Sequence, residues 1–352
     1  MKGGATRPMR SKLEAMWYGG KGPLWLAPLS FLYGGLMGFR SLLYRMGLRH
    51  RVRVKAPVIV VGNLTVGGTG KTPLVAWLST HLAAVGLRVA IVSRGYGGRA
   101  RGVTRVTVHS RPSEVGDEPL LLARRAQATV FVGKDRVAAA KAAVADGADI
   151  VICDDGLQHL ALMRDCEIVV IDGQRGFGNG CLLPRGPLRE RPRRLRRVNA
   201  VVVNGAITAP GFALPGFLTR THYVMTMRPG DARPVSGGAS LRALSSFRGT
   251  GVHAVAAIGN PQRFFDMLRN AGLTLYEHPM PDHHAFKAGD LNFGDNLPVI
   301  MTEKDAVKCV AFADDRCWFV PVTAEFPENE ARELTDLVLA RASEFKARSI
   351  GR

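Results

Sequence analysis

From Val58 onward, short apolar runs alternate with segments of helical period. "VIVVGN" reads as a buried strand, and "TPLVAWLSTHLAAVG" as a helix with Pro73 in its first turn, where a missing N–H does no harm. "LRVAIVSRG" is a second strand, ending in the glycine-rich "RGYGG", and "RVTVHS" a short one. "DEPLLLARRA" opens a helix, "ATVFVG" is a strand, "KDRVAAAKAAVADG" a helix, and "ADIVICDD" and "CEIVVIDG" are strands. Near-continuous apolar strands separated by helices predict a parallel sheet covered on both faces. The expected class is α/β, a doubly wound parallel sheet.

The texture changes at residues 175–197, where glycine, proline and arginine dominate and suggest a functional loop followed by a boundary. Apolar strands resume at 200–205, 221–227, 251–259, 273–279, 298–305 and 317–322, with a helix over 261–272, which predicts a second, smaller α/β unit. An amphipathic helix is expected over 329–345. The expected organisation is an N-terminal apolar and basic segment (1–55), a core (56–198), a second α/β domain (199–325) and a C-terminal helix (326–352).

One stretch departs from the soluble pattern. Residues 23–39, "PLWLAPLSFLYGGLMGF", carry no charge. As a helix they reach about 25 Å, short against a hydrocarbon core of about 30 Å. Lys12 and Lys21 precede the stretch, and Arg40, Arg45, Arg49, Arg51, Arg53 and Lys55 follow it. Trp17, Tyr18, Trp25, Tyr33 and Tyr44 supply the aromatic side chains favoured at a membrane interface. Three readings stand open: a buried core helix, a helix lying in the interface, and a full span.

Charge sharpens the choice of partner. The 352 residues hold 48 Lys and Arg against 29 Asp and Glu, a net +19 that favours anionic partners. Five cysteines with no CxxC spacing argue against a disulfide framework or a structural zinc site.

The chemistry starts at "TVGGTGKTP". After a strand and before a helix, Gly67, Gly68 and Gly70 give the backbone freedom to turn its N–H groups toward phosphate oxygens. Lys71 reaches the outer phosphates and the Thr72 hydroxyl suits magnesium. The expected nucleotide loop is Thr65, Val66, Gly67, Gly68, Thr69, Gly70, Lys71 and Thr72. Thr65 replaces the first glycine of the strict pattern, and Val66 stands where related GG-x-GKT loops often carry lysine. "ADIVICDDG" places Asp154 and Asp155 at a strand end, where a carboxylate grips magnesium directly or through water. "TEKD" (302–305) lacks the asparagine of a guanine-reading motif, which favours ATP over GTP.

Four further patches are candidates for the acceptor side. In "GDEP", Asp117 is either a helix cap or a proton acceptor for an attacking hydroxyl. "DDGLQH" adds Gln158 and His159. "LLPRGPLRE" carries Arg185, Arg189 and Glu190, arginines being suited to clamp a phosphoryl group. "PDHHAF" holds Asp282, His283 and His284.

Taken in order, "GNLTVGGTGKTP", "SRGYGG", "GDEP", "DDGLQH", "LLPRGPLRE", "PDHH" and "TEKDAVK" resemble the tetraacyldisaccharide 4′-kinases of lipid A biosynthesis, from about Val58 to Lys308. The resemblance implies an ATP- and magnesium-dependent kinase on the cytosolic face of the inner membrane. Its acceptor would be the 4′-hydroxyl of a lipid disaccharide 1-phosphate. By that analogy Asp117 is the general base and His283 positions it. Lys71 and Thr72 keep their phosphate and magnesium roles. Asp154 and Glu190 look like metal-site carboxylates, and Arg189 like an anion clamp. Gln158 and the Arg94–Tyr96 turn line the cleft.

An apolar, base-flanked N-terminus and surplus arginine suit an anionic amphiphile at a lipid surface. No nucleic acid is expected, because aromatic residues are only 7% and show no interleaving with a basic face. No protein partner is expected. The rival reading is a P-loop GTPase or metallochaperone, which would carry a guanine-reading motif and a metal-passing motif.

Overall fold

The structure, a computed structural model, describes residues 15–20, 22–216, 222–238 and 240–350. Lys12 and Lys21, expected as basic flanks, lie outside these residues. The first elements are α1 (Ala27–Arg45), β1 (Val58–Gly62), α2 (Lys71–Ala84), β2 (Val89–Ser93), β3 (Thr104–Val106), α3 (Pro112–Val115), α4 (Asp117–Arg125), β4 (Thr129–Val132), α5 (Arg136–Ala145), β5 (Ile150–Asp154) and β6 (Cys166–Asp172). There follow β7 (Ala200–Asn204), β8 (His222–Pro229), β9 (Arg233–Pro234), β10 (Gly251–Ala256), α6 (Pro261–Asn270), β11 (Thr274–Pro279), β12 (Val299–Thr302), α7 (Glu303–Cys309), β13 (Cys317–Val320), β14 (Val322–Glu325) and α8 (Glu328–Ile350).

Nine strands form the larger sheet in the order β14-β8-β7-β6-β1-β5-β2-β4-β3. All neighbours are parallel except the two edge pairs, β3 with β4 and β14 with β8. Each residue of β1, β2, β5, β6 and β7 is buried. This is why their sequences are continuous apolar runs rather than alternating ones. One core cluster packs Leu74, Val75, Leu78 and Leu82 of α2 and Leu334 and Val338 of α8 on one face, and a second packs Ala139, Ala140 and Ala143 of α5 on the other. A doubly wound sheet results, with β1 between β5 and β6, so ligands are expected beyond the carboxyl ends of these strands.

A smaller sheet, β11-β10-β12-β13-β9, is parallel apart from β9. The sheets do not change where the composition changes. Strands β7 and β8 extend the larger sheet beyond the expected boundary at 198/199, and β14 returns to it. The apolar run 317–322, expected as one strand, is two: Pro321, which has no N–H to donate to a ladder, separates β13 in the smaller sheet from β14 in the larger. "RVTVHS" forms a strand only as far as Val106, because Thr107 and Ser110 close a turn.

Helix α1 stands apart from both cores. Of its residues only Ser30 is buried, and Phe31 is 80%, Phe39 60% and Leu32 59% exposed. The buried-core reading is therefore excluded. The stretch Leu24–Arg45 is long and apolar enough to cross a membrane by length and composition.

Candidate active site

The loop after β1 carries the phosphate-binding geometry. Gly67 and Gly70 have φ of 110° and 95°, the left-handed region open to glycine. Gly70 is the N-cap of α2, so the first N–H groups of that helix point into the cleft. A Cβ at Gly70 would collide with Asn204 Nδ2, which donates to the Thr69 carbonyl at 3.0 Å and braces the loop from β7. Thr65 tolerates the lost glycine because it needs no positive φ: it is bridged to Leu188 in extended pairing, and Val66 N–H donates to the Pro187 carbonyl.

The loop opens into a cavity of about 730 Å³ between the sheets. Its walls include residues 66–72 and Arg94, Tyr96, Glu118, Asp154, Asp155 and Gln158 from the larger unit. Asp282, His283 and Lys304 line it from the smaller unit, and Arg40 from α1. At the phosphate end, Asp155 bridges two cations, at 3.7 Å from Lys71 Nζ and 2.9 Å from Arg189 Nη1. Burial pushes its pKa up, but Lys71 and Arg189 outweigh that and hold the carboxyl well below the usual range. Asp154 beside it is buried and, in contrast, raised, by burial first and then by the Glu118 charge.

Asp154 Oδ1 and Thr69 Oγ1 are buried without hydrogen-bond partners. Uncompensated polar atoms of this kind mark a place where a ligand completes the bonding. Among the described residues, no group of three or more His, Cys, Asp or Glu side chains converges as an all-protein metal site. A magnesium ion bound mainly through phosphate oxygens, with one carboxylate and one hydroxyl, fits this donor set. Asp154 and Thr72 fit as its protein ligands. Glu190 does not: it is absent from the cavity wall, accepts from Gln158 Nε2 at 2.9 Å and pairs with Arg194 at 3.4 Å.

Behind the opposite wall, which Glu118, His283 and Lys304 line, lies a dense charge cluster. Asp117 Oδ2 is 3.1 Å from His283 Nδ1, 3.9 Å from Lys304 Nζ and 3.8 Å from Lys308 Nζ, while Oδ1 accepts from the Glu118 N–H. Burial acts to raise the Asp117 pKa, but the His283 hydrogen bond and the two lysines overcome it and hold the carboxyl at about 2. Lys304 also pairs with Glu118 at 2.9 Å and Asp282 at 3.6 Å, and these carboxylates keep the buried ammonium protonated well above its ordinary range. The two histidines of "PDHH" part company: His283, at φ 62°, turns to Asp117 and lies 4.9 Å from the Tyr96 ring, whereas His284 bonds Asp290. Asp117 is not the cap of α4: Gly116 holds the N-cap position, and Asp117 is the first residue of the helix.

The structure thus brings Asp117, His283, Lys71, Arg189, Asp154, Gln158, Arg94 and Tyr96 to one cleft or its immediate support. Sequence reasoning missed Glu118, Lys304 and Lys308. The i,i+4 spacing of the two lysines, which puts both on one helix face, was the available signal.

A phosphate loop at the switch point of a doubly wound sheet, with an ionised carboxylate held just behind the opposite wall of its cleft, defines a P-loop phosphotransferase. The sequence profile of tetraacyldisaccharide-1-P 4′-kinase matches residues 23–342. The tetraacyldisaccharide 4′-kinase of Alkalilimnicola ehrlichii is 52% identical over 336 residues, covering 94% of this chain and 98% of that protein. That of Methylobacillus flagellatus is 47% identical, covering 96% and 98%. The crystal structure of LpxK from Aquifex aeolicus in complex with ATP superimposes with a TM-score of 0.72 at 28% identity, covering 90% of this chain and 98% of that one. The chain belongs to the tetraacyldisaccharide-1-P 4′-kinase family. It is a phosphotransferase with an alcohol acceptor, and the GTPase or metallochaperone alternative falls away.

Proposed function

We propose that catalysis rests on a division of labour between the two walls of the cleft, and that it takes place at the cytosolic surface of the inner membrane. The reaction moves the γ-phosphoryl group of ATP to the 4′-hydroxyl of a tetraacyldisaccharide 1-phosphate. The amides of residues 67–72 hold the phosphates, and Lys71 and Arg189 balance charge on the transferring group. Thr72 and Asp154 would hold magnesium, which would supply neutralisation of the phosphate charge.

Asp117 accepts the proton of the sugar hydroxyl as its oxygen bonds to the γ-phosphorus and the bond to the β-phosphate oxygen breaks. A carboxylate held at about 2 is fully ionised at neutral pH and free to accept that proton, though its low value makes it a weak base. His283 fixes its orientation through Nδ1, and Lys304 and Lys308 keep it charged. Arg94, Tyr96 and Gln158, which line the cavity, contact substrate in this reading. The observation that carries this reading is the Asp117–His283–Lys304–Lys308 cluster beside the cavity into which the phosphate loop opens.

Membrane association is supported by the exposed apolar face of α1 and the arginines that follow it. Burying the exposed part of side chains such as Leu32, Leu36 and Phe39 in lipid favours binding by roughly 1–2 kcal/mol each. Basic residues near an anionic surface add about 1 kcal/mol apiece.

The test incubates the purified full-length protein with ATP, magnesium and the disaccharide 1-phosphate in mixed micelles. Stoichiometric appearance of ADP and 4′-phosphorylated lipid is expected. ATP hydrolysis without lipid product would exclude this acceptor.

A further inference from the structure

Among the described residues, the side-chain hydrogen bonds of helix α1 to the rest of the molecule converge on one loop. Ser30, its only buried residue, donates from Oγ to the Leu182 carbonyl at 2.9 Å and accepts from the Arg185 N–H at 3.0 Å. A serine inside a helix ordinarily bonds back to its own preceding turn, but this one reaches across. One turn on, Tyr33 Oη donates to the Arg189 carbonyl at 3.2 Å. Gly34 lies so close to Leu182 that a Cβ there would be 2.8 Å from Leu182 Cδ1. Ahead of the helix, Trp17 Nε1 donates to the Pro184 carbonyl at 2.9 Å.

The other side of this loop, residues 182–189, is bonded to the phosphate loop. The Pro187 carbonyl accepts from the Val66 N–H at 2.8 Å, and the Arg189 N–H donates to the Leu64 carbonyl at 2.6 Å. Leu188 bridges to Thr65. The loop ends on Arg189, whose guanidinium holds Asp155 and thereby faces Lys71. A single short segment therefore has the exposed apolar helix on one side and the nucleotide machinery on the other. Arg40, further along the same helix, lines the cleft directly.

We propose that Ser30 and Tyr33 are positioning residues that couple lipid contact to nucleotide binding. They fix the 182–189 loop, and with it Arg189 and the start of the phosphate loop, to the helix that meets the membrane. Seating α1 on a lipid surface favours the arrangement of residues 64–66 and Arg189 that binds ATP. This rests on the membrane reading given above. Coupling between two sites is reciprocal, so ATP strengthens vesicle binding by the same factor by which vesicles strengthen ATP binding.

The experiment uses the full chain, a fluorescent ATP analogue with magnesium, and phosphatidylethanolamine–phosphatidylglycerol vesicles free of disaccharide. The dissociation constant of the nucleotide is measured with and without vesicles, and vesicle pelleting with and without nucleotide. Wild type should show nucleotide affinity tightened about three- to tenfold by vesicles, the range that one or two hydrogen bonds of ordinary net strength transmit. Pelleting should rise by a matching factor. Tyr33→Phe and Ser30→Ala should pellet as wild type does without nucleotide, yet lose most of the coupling factor. Ser30→Thr, which keeps the hydroxyl, should retain it. A merely structural role would lower the melting temperature but leave the coupling factor in place. If Ser30→Ala fails to fold, Tyr33→Phe carries the test. Wild type that pellets but binds nucleotide equally with and without vesicles overturns the proposal, as do variants with full coupling. Wild type that does not pellet overturns the membrane reading itself, a different result.

Discussion

Replacing Asp117 by asparagine keeps the side-chain shape and removes only its charge and basicity. Three cationic or hydrogen-bonding partners then face a neutral amide: His283 at 3.1 Å, Lys308 at 3.8 Å and Lys304 at 3.9 Å. The carboxyl pKa is lowered from 3.8 to about 2 in the folded protein. At about 1.36 kcal/mol per pKa unit, that depression corresponds to roughly 2.5 kcal/mol of stability at neutral pH. Because the folded value lies below the unfolded one, this contribution is present above the unfolded pKa and disappears as pH falls through the folded pKa. Linkage gives a loss of about half of it by pH 3. Urea unfolding of wild type and Asp117→Asn at pH 7 and pH 3 should therefore give a stability gap of roughly 2 kcal/mol that narrows to about 1. In the micelle assay the same variant should lose about 10²–10⁴ in kcat, the range of general-base catalysis, with KM for MgATP changed less than about threefold. A gap that stays constant with pH would show that the lysines and His283 do not hold the carboxylate ionised. A kcat near wild type would remove Asp117 from the chemistry.

Lys304→Met removes one of the charges that depress Asp117, so the acid limb of the kcat–pH profile should move to higher pH, by about one unit or less. An unmoved limb would contradict the assignment. Gly70→Ala should abolish binding of a fluorescent ATP analogue, since alanine is strained at φ 95° by about 1–2 kcal/mol and its Cβ meets Asn204. Binding within about threefold of wild type would mean the loop tolerates another shape. Arg125→Ala should lower stability by about 3 kcal/mol in urea unfolding, because Arg125 pairs with the half-buried Glu303 at 2.6 Å and reaches the Val322 carbonyl, tying α4 to the junction between the sheets. A loss below about 0.5 kcal/mol would make this an ordinary surface pair.

The parallel sheet was legible because burial on both faces imposes continuous apolar runs, and the phosphate loop because its backbone conformation admits few residues but glycine. The exchange of strands between the two sheets was not. An apolar run such as "CWFVPV" reports burial without saying in which sheet, and only Pro321 marked the break. Arg189 and Gln158 were read from single motifs, yet their roles are set by contacts with Asp155 and Glu190 that no local spacing encodes. Glu190 looked like a metal-site carboxylate through the family resemblance alone; in three dimensions it turns to Gln158 and Arg194. Lys304 and Lys308 were given no role because "TEKD" was weighed as a base-reading motif and "TEKDAVK" only as part of the family resemblance. Their meaning appears when α7 packs beside α4 and brings both ammonium groups to Asp117.

The central claim is that Asp117 takes the proton from the attacking sugar hydroxyl. It is tested most directly by a crystal structure of the protein with magnesium, a non-hydrolysable ATP analogue and a disaccharide 1-phosphate acceptor. An Asp117 oxygen is expected at about 2.6–3.2 Å from the 4′-hydroxyl, with that hydroxyl in line with the γ-phosphorus. A bound acceptor whose 4′-hydroxyl faces the γ-phosphorus while Asp117 stays buried against His283, out of hydrogen-bond reach, would contradict it.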